Sequence, residues 1–224
     1  MPSLTVENYV KAIYQIGVAE EGKPAATGQL AAALGVSPGS VTSMLKTLSE
    51  TGLATYTPYE GVRLTPLGTA LALRVVRRHR LIELFLVRTL HLTWDEVHEE
   101  AEHMEHAVSD LLIDRIDEYL GRPAADPHGD PIPRADGSLE VPELRTLTAC
   151  PVGFRFRLAR VVDQSPEFLR FLSESGLSLG ASGEVRTNRP EAGIVGVSVD
   201  GRETTLGREA AEKILVAASE NPNR

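Results

Sequence analysis

The sequence predicts a mainly α chain with a small β domain at its C-terminal end. Three observations carry this. Apolar residues recur at helical spacing across most of residues 4–120. Helix-start signals punctuate that stretch: Ser37-Pro38, Thr65-Pro66, Thr93-Trp94-Asp95-Glu96 and Ser109. Beyond Pro151 the pattern changes to short β-rich runs separated by glycines.

Taken in order, Val6, Tyr9, Val10, Ile13 and Ile16 mark one face of a helix over 4–17, closed by Glu20-Glu21-Gly22-Lys23-Pro24. Thr27 opens a short helix with Leu30, Ala31 and Leu34 inward, and Gly35 stops it. Ser37 then caps a helix that buries Val41, Met44, Leu45 and Leu48 and ends before Gly52. Strands at 53–57 and 62–64 flank a Pro58-Tyr59-Glu60-Gly61 turn. Helix, helix, turn, helix and hairpin in that order form a winged helix-turn-helix.

A long helix follows from Thr65-Pro66 to Leu90. The Thr93 capping box opens a helix that carries His98 to His106, and Ser109 caps a third with Leu112, Ile113 and Ile116 inward. Residues 122–150, with five prolines, read as an ordered turn-rich segment and then a linker. Strands are expected at 154–162, 177–179, 183–186, 194–199 and 203–205, with helical pieces at 166–175 and 207–217, making a small β-barrel.

Charge sorts with these parts. Residues 1–80 hold 8 Lys and Arg against 5 Asp and Glu, residues 81–150 hold 5 against 16, and residues 151–224 are balanced at 10 each. The net charge of −8 therefore hides a basic N-terminal part suited to phosphate contact. No stretch resembles a signal peptide or a membrane span, and one cysteine, Cys150, excludes an internal disulfide framework. The expected location is the cytoplasm.

On the second helix of the helix-turn-helix, Ser37, Pro38, Gly39, Ser40, Thr42, Ser43 and Lys46 stand on the outer face, with Thr27 nearby and Arg63 on the wing. Hydroxyls and small side chains discriminate bases weakly, so shape readout carries more of the specificity.

Five of six histidines lie between His79 and His106. His79 and Glu83 are four apart, and His98, Glu102, Glu105 and His106 follow at offsets of 0, 4, 7 and 8, an arc of roughly 100° on one helix face. His79, Glu83 and His98 form one candidate metal set, and Glu102, Glu105 and His106 a second. His103 lies roughly 60° beyond His106 on the wheel and reads as exposed, and His91 and His128 show no local carboxylate pattern. Nitrogen and oxygen donors without thiolate suit Mn²⁺ or Fe²⁺, with Zn²⁺, Co²⁺ or Cd²⁺ as surrogates. HExxH is absent and no general base stands apart from the ligands, so no enzyme is expected.

These residues resemble the diphtheria-toxin-repressor/manganese-transport-regulator (DtxR/MntR) family of metal-activated bacterial repressors. The carrying segments are Glu7-Asn8-Tyr9, residues 34–48, Leu64-Thr65-Pro66-Leu67-Gly68, Arg78-His79-Arg80-Leu81-Ile82-Glu83, Val97-His98-Glu99-Glu100-Ala101-Glu102, Glu105-His106 with Ser109-Asp110, and the proline turn His128-Gly129-Asp130-Pro131-Ile132-Pro133. The C-terminal part resembles the SH3-like domain of the three-domain members.

The resemblance implies a DNA-binding domain over 1–72, a helical metal-binding and dimerisation domain over 73–141, a linker over 142–150 and an SH3-like domain over 151–224. It implies an ancillary site of His79, Glu83 and His98, completed by Gln164 and Glu167. It implies a regulatory site of Asn8, Glu102, Glu105 and His106. Glu102 is the manganese-type residue where iron-type members carry Cys; Asn8 stands where manganese-type members carry Asp. The implied function is a homodimeric repressor of metal-uptake genes, Mn²⁺-preferring with Fe²⁺ as the other activator, on double-stranded palindromic operator DNA and with no membrane partner. The alternative is a winged-helix regulator with a non-metal effector.

Overall fold

The computed structural model describes residues 3–219, which form two compact units. The first holds 3–79 with 102–115 and 133–139; the second holds 80–101, 116–132 and 140–219.

In the first unit, α1 (Leu4–Ala19) starts at Ser3, whose side chain accepts from the Val6 N–H, and it buries Tyr9, Val10 and Ile13. α2 (Thr27–Leu34) is capped by Ala26, whose N–H donates to the Gln29 side chain at 2.9 Å; Gly35 ends it at φ 63°, in the left-handed region. α3 (Pro38–Glu50) opens as expected, the Ser37 hydroxyl accepting from Ser40 N–H at 3.1 Å. β1 (Ala54–Thr57) and β2 (Gly61–Leu64) pair antiparallel, with Ala54 opposite Leu64. Val10, Leu30, Val41, Leu45, Leu48 and Val62 share one core, so α1 is packed into the same body as α3. α4 (Pro66–Leu90) begins where the Thr65 hydroxyl accepts from Gly68 N–H. A Cβ at Gly68 would stand 1.9 Å from the Leu53 carbonyl oxygen, which is why that contact takes glycine.

Two expectations fail in the next stretch. α5 spans only Val97–Met104, so Glu105 and His106 sit in the turn before α6 (Asp110–Tyr119) and not on one continuous helix face. The Thr93 signal is real but precedes the helix: the Glu96 carboxylate accepts from Thr93 N–H and Oγ1 at 2.9 and 2.8 Å, while residues 94–96 form a turn. On α6, Ser109 Oγ accepts from Leu112 N–H and Ile113 is buried, but Leu112, expected inward, is 48% exposed, and its neighbour Leu111 is 69% exposed.

The second unit is built on a six-stranded antiparallel sheet of order β3-β8-β4-β5-β6-β7, from β3 (Arg145–Thr146), β4 (Arg155–Val161), β5 (Ser182–Arg189), β6 (Ile194–Val199), β7 (Arg202–Gly207) and β8 (Ile214–Ala218). Its core is Leu147, Phe156, Leu158, Leu172, Val185, Val197, Leu206 and Val216. Residues 177–179 are not a strand. They close α7 (Pro166–Glu174), with Gly176 at φ 75° and Leu177 N–H donating back to the Leu172 carbonyl. Residues 207–217 are not one helix either. After α8 (Arg208–Glu212) the alternating Ile214 and Val216 point into the core and pair with β3 and β4.

The proline turn is seated against β4. His128 carbonyl accepts from Val161 N–H at 2.8 Å, and Gly129, at φ 87°, lies where a Cβ would meet the Ala159 oxygen at 2.0 Å. Among the described residues no helix is long and apolar enough to cross a membrane.

Candidate metal centre

In the first unit, α1 brings Glu7 and Lys11 to a cluster that α4, α5 and the following turn complete with His79, Glu102, Glu105 and His106. His106 Nδ1 lies 2.7 Å from Glu7 Oε2, and its Nε2 lies 3.2 Å from Glu105 Oε1. A carboxylate accepts only, so the Nδ1 proton goes to Glu7 and the Nε2 lone pair faces Glu105. Neither His106 Nε2 nor Glu105 Oε1 makes a hydrogen bond, and Asn8 Oδ1 is also buried without one. Buried acceptors left unsatisfied are costly, and a divalent ion bound by oxygen and imidazole nitrogen removes that cost. The donor set therefore fits Mn²⁺ or Fe²⁺. The other carboxylate oxygen, Glu105 Oε2, lies 2.6 Å from His79 Nδ1 and 2.7 Å from Lys11 Nζ, which also donates to Glu102 Oε1 at 2.5 Å.

A second cluster lies in the second unit. Glu83 is 1% exposed and reaches two histidines, His98 Nδ1 at 3.3 Å from Oε1 and His128 Nδ1 at 3.7 Å from Oε2. Asp126 is the third member of a Glu83, Asp126 and His128 group whose ligand atoms all lie within 4.8 Å of one another. His128 Nε2 donates to the Trp94 carbonyl at 2.7 Å, so neutral His128 presents an Nδ1 lone pair to a carboxylate oxygen. Only a proton or a cation makes that facing favourable. Burial, then the charges of Asp130 and Glu83, push the Asp126 carboxyl up to about 7. Burial pulls the His128 imidazole down, but the Glu83 and Asp126 carboxylates outweigh it and raise it.

Of the residues implied to complete the ancillary site, Gln164 is adjacent: its Nε2 donates to Asp130 Oδ2 at 3.0 Å. Glu167 is not: its side chain is 80% exposed in the first turn of α7 and pairs with Arg170 at 3.5 Å. His128 is fully buried and belongs to the cluster, against the expectation that it stands apart. Glu7, Lys11, Asp126 and His128 were missed. The alternation Asp126-Pro127-His128-Gly129-Asp130 was the available signal, and the turn gathers it: Asp126 Oδ1 accepts from the backbone N–H of both His128 and Asp130.

On the winged helix, Ser37, Pro38, Gly39, Ser40, Ser43 and Lys46 are exposed, and Thr27 and Thr42 are partly so. Some hydroxyls are already engaged: Thr42 donates to the Pro38 carbonyl at 3.0 Å, and Ser37 and Ser40 bond each other at 2.9 Å. Arg63 donates to the Gly22 carbonyl. Thr27, Thr42 and Lys46 line a cavity of about 610 Å³ with Tyr56, Tyr59 and Gly61 of the wing.

Residues 1–62 match the family profile of the iron dependent repressor N-terminal DNA binding domain, residues 65–134 its metal binding and dimerisation domain, and residues 145–218 the FeoA domain. The iron-dependent repressor IdeR of Mycobacterium leprae (strain TN) is 31% identical over 225 residues, covering 95% of this chain and 96% of that protein. A manganese-dependent transcriptional repressor in complex with manganese superposes with a TM-score of 0.85 at 42% identity, over 96% of this chain and 100% of the other. ScaR with bound Cd²⁺ gives 0.78 at 35% identity, over 97% and 100%. The chain thus belongs to the iron-dependent repressor family, the DtxR/MntR group of metal-dependent DNA-binding transcriptional repressors.

Proposed function

We propose that this chain is a metal-activated repressor of metal-ion uptake genes, Mn²⁺-preferring with Fe²⁺ as the other activator, and not an enzyme. It acts as a cytoplasmic homodimer on double-stranded palindromic operator DNA. The supporting observation is the buried trio of unsatisfied donors, Asn8 Oδ1, Glu105 Oε1 and His106 Nε2, on a histidine already oriented by Glu7. With Glu102 they form the regulatory set, and the absence of thiolate from it favours Mn²⁺.

The bound ion supplies a positive centre that satisfies these donors together. The chain's own residues do the coupling. Asn8 lies on α1, whose Tyr9, Val10 and Ile13 are packed with Leu30, Leu45 and Leu48 of the helix-turn-helix. Holding Asn8 to the turn at Glu105 and His106 therefore restricts the body that carries α3, and the two recognition helices of a dimer keep a fixed spacing. Operator DNA then tightens metal binding by the same factor that metal tightens DNA binding. Contact with DNA is assigned to Thr27, Ser37, Pro38, Gly39, Ser40, Thr42, Ser43, Lys46 and Arg63, within a reading domain of 1–72. Residues 73–141 carry metal binding and dimerisation, 142–150 the linker and 151–224 the SH3-like part.

To the ancillary set of His79, Glu83 and His98 this reading adds Asp126 and His128, supported by their grouping with Glu83 and by Gln164 on Asp130, and it leaves out the exposed Glu167.

The test is fluorescence anisotropy of labelled DNA from upstream of a metal-transporter gene, titrated with protein in chelator and then in Mn²⁺, Fe²⁺ or Zn²⁺. Binding only with metal, tightest with Mn²⁺, and its loss in Glu105→Gln support the reading. Equal binding with and without metal overturns it in favour of a non-metal effector.

A further inference from the structure

Lys11 is buried, at 5% exposure, inside a group of ligand atoms that has the composition of a metal site. His79, Glu102 and Glu105 offer one nitrogen and two oxygens, all within 4.8 Å of one another. The Lys11 ammonium lies among those atoms, 2.5 Å from Glu102 Oε1, 2.7 Å from Glu105 Oε2 and 3.2 Å from His79 Nδ1. Glu105 is fully buried and Glu102 half-buried, and two carboxylates this close need a positive charge, which the ammonium supplies. Glu105 is shared. Its Oε2 faces the ammonium, while its Oε1 makes no hydrogen bond and faces His106 Nε2.

We propose that Lys11 is a tethered cation that fills a second metal position beside the regulatory site, so that the cluster takes one divalent ion where its ligand set would accommodate two. The pocket of His79, Glu102 and Glu105 is a latent site for a divalent transition metal, closed by an ammonium on α1. Three consequences follow from the chemistry. The cluster keeps a fixed positive charge in metal-free protein, which holds Glu102 and Glu105 in place before an ion arrives. Metal loading at Asn8, Glu105 and His106 is non-cooperative, because only one ion enters. Removing the ammonium while keeping the ligands opens the pocket to metal. This inference rests on the regulatory-site reading for its first position and on the ammonium contacts alone for its second.

The experiment counts metal. Full-length wild type, Lys11→Gln, Lys11→Glu, His106→Ala, His79→Ala and the double variant Lys11→Gln/His79→Ala are dialysed against Mn²⁺, and bound ion per chain is measured by mass spectrometry. Lys11→Gln or Lys11→Glu should gain one equivalent over wild type, and Lys11→Gln/His79→Ala should gain none over His79→Ala. Electron paramagnetic resonance of the gained ion should show coupling between two Mn²⁺ centres sharing Glu105. In chelator, Lys11→Gln should melt below wild type, and Mn²⁺ should raise its melting temperature by more than it raises that of wild type. Unchanged stoichiometry in folded Lys11→Gln and Lys11→Glu overturns the proposal, as does a wild type whose electron paramagnetic resonance already shows two coupled Mn²⁺ centres. His106→Ala separates the two readings: if it leaves wild-type stoichiometry intact, the regulatory assignment fails, while the ion gained on replacing Lys11 still stands or falls by itself.

Discussion

His106 Nδ1 lies 2.7 Å from Glu7 Oε2, a contact between residues ninety-nine positions apart. The carboxylate accepts the hydrogen bond from Nδ1–H and leaves the lone pair on Nε2, so Glu7 sets the tautomer in which His106 could bind a metal. The other oxygen, Glu7 Oε1, is 3.7 Å from the Arg78 guanidinium, so the carboxylate is held at both ends.

Glu7→Gln should therefore weaken Mn²⁺ binding about 10- to 100-fold without unfolding the protein. The amide keeps a carbonyl oxygen for the ring but loses its charge. Calorimetric titration of wild type and variant with Mn²⁺ checks this, and an affinity within twofold of wild type would remove Glu7 from the site.

Asp126 supplies a pH dependence. Its carboxyl is raised to about 7 by burial and by the Asp130 and Glu83 charges, so the metal-free folded state holds that proton more tightly than the unfolded chain does. Stability from it is fully present below the ordinary carboxylate range and is lost as pH rises to about 7, with no further loss above. The raised His128 imidazole acts in the same direction, so Asp126→Asn isolates the carboxylate. In chelator the variant should melt with wild type at pH 4 and above it at pH 8. Metal needs the deprotonated carboxylate, so Mn²⁺ binding should release protons near neutral pH in wild type and fewer in the variant. Calorimetry in buffers of different ionisation enthalpy measures the difference.

Gly129→Ala should destabilise the second unit by about 3 kcal/mol, from left-handed backbone strain together with overpacking. The added methyl meets the Ala159 carbonyl oxygen, and the turn that carries Asp126 and His128 must move. Thermal unfolding reads the loss, and Mn²⁺ protection of that transition should shrink with it. Wild-type melting would show that β4 yields to the methyl.

Lys46 is exposed on α3 and faces the cavity beside the wing. If it meets a phosphate, Lys46→Ala in Mn²⁺ should weaken binding uniformly across operator variants and reduce the slope of log affinity against log salt by about 1. A change in sequence preference with an unchanged slope would assign it to a base.

Much of the first unit was legible because its signals are local. Ser37 accepts from Ser40 N–H, Gly35 takes positive φ, and Val41, Leu45 and Leu48 fall on the buried stripe where the spacing puts them. Local signals misled where a partner strand or a turn decided. Ile214 to Ala218 pairs with β3 and β4, and no periodicity in five apolar residues separates that from helix. The arc drawn through His98, Glu102, Glu105 and His106 assumed one helix, but α5 stops at Met104. Glu105 and His106 still reach the cluster because the turn swings them toward α1.

By itself the sequence determined the residue types, the caps, the helix-turn-helix with its wing and the nitrogen and oxygen donors that select the class of ion. Tertiary structure alone decided which donors meet. It brought Glu7 to His106, set Lys11 between Glu102 and Glu105, and buried His128 against Glu83. The reason is physical: caps and periodicity act over one or two turns of chain, whereas a metal site is assembled from residues tens of positions apart, and a buried charge has no meaning until its counter-charge is in place.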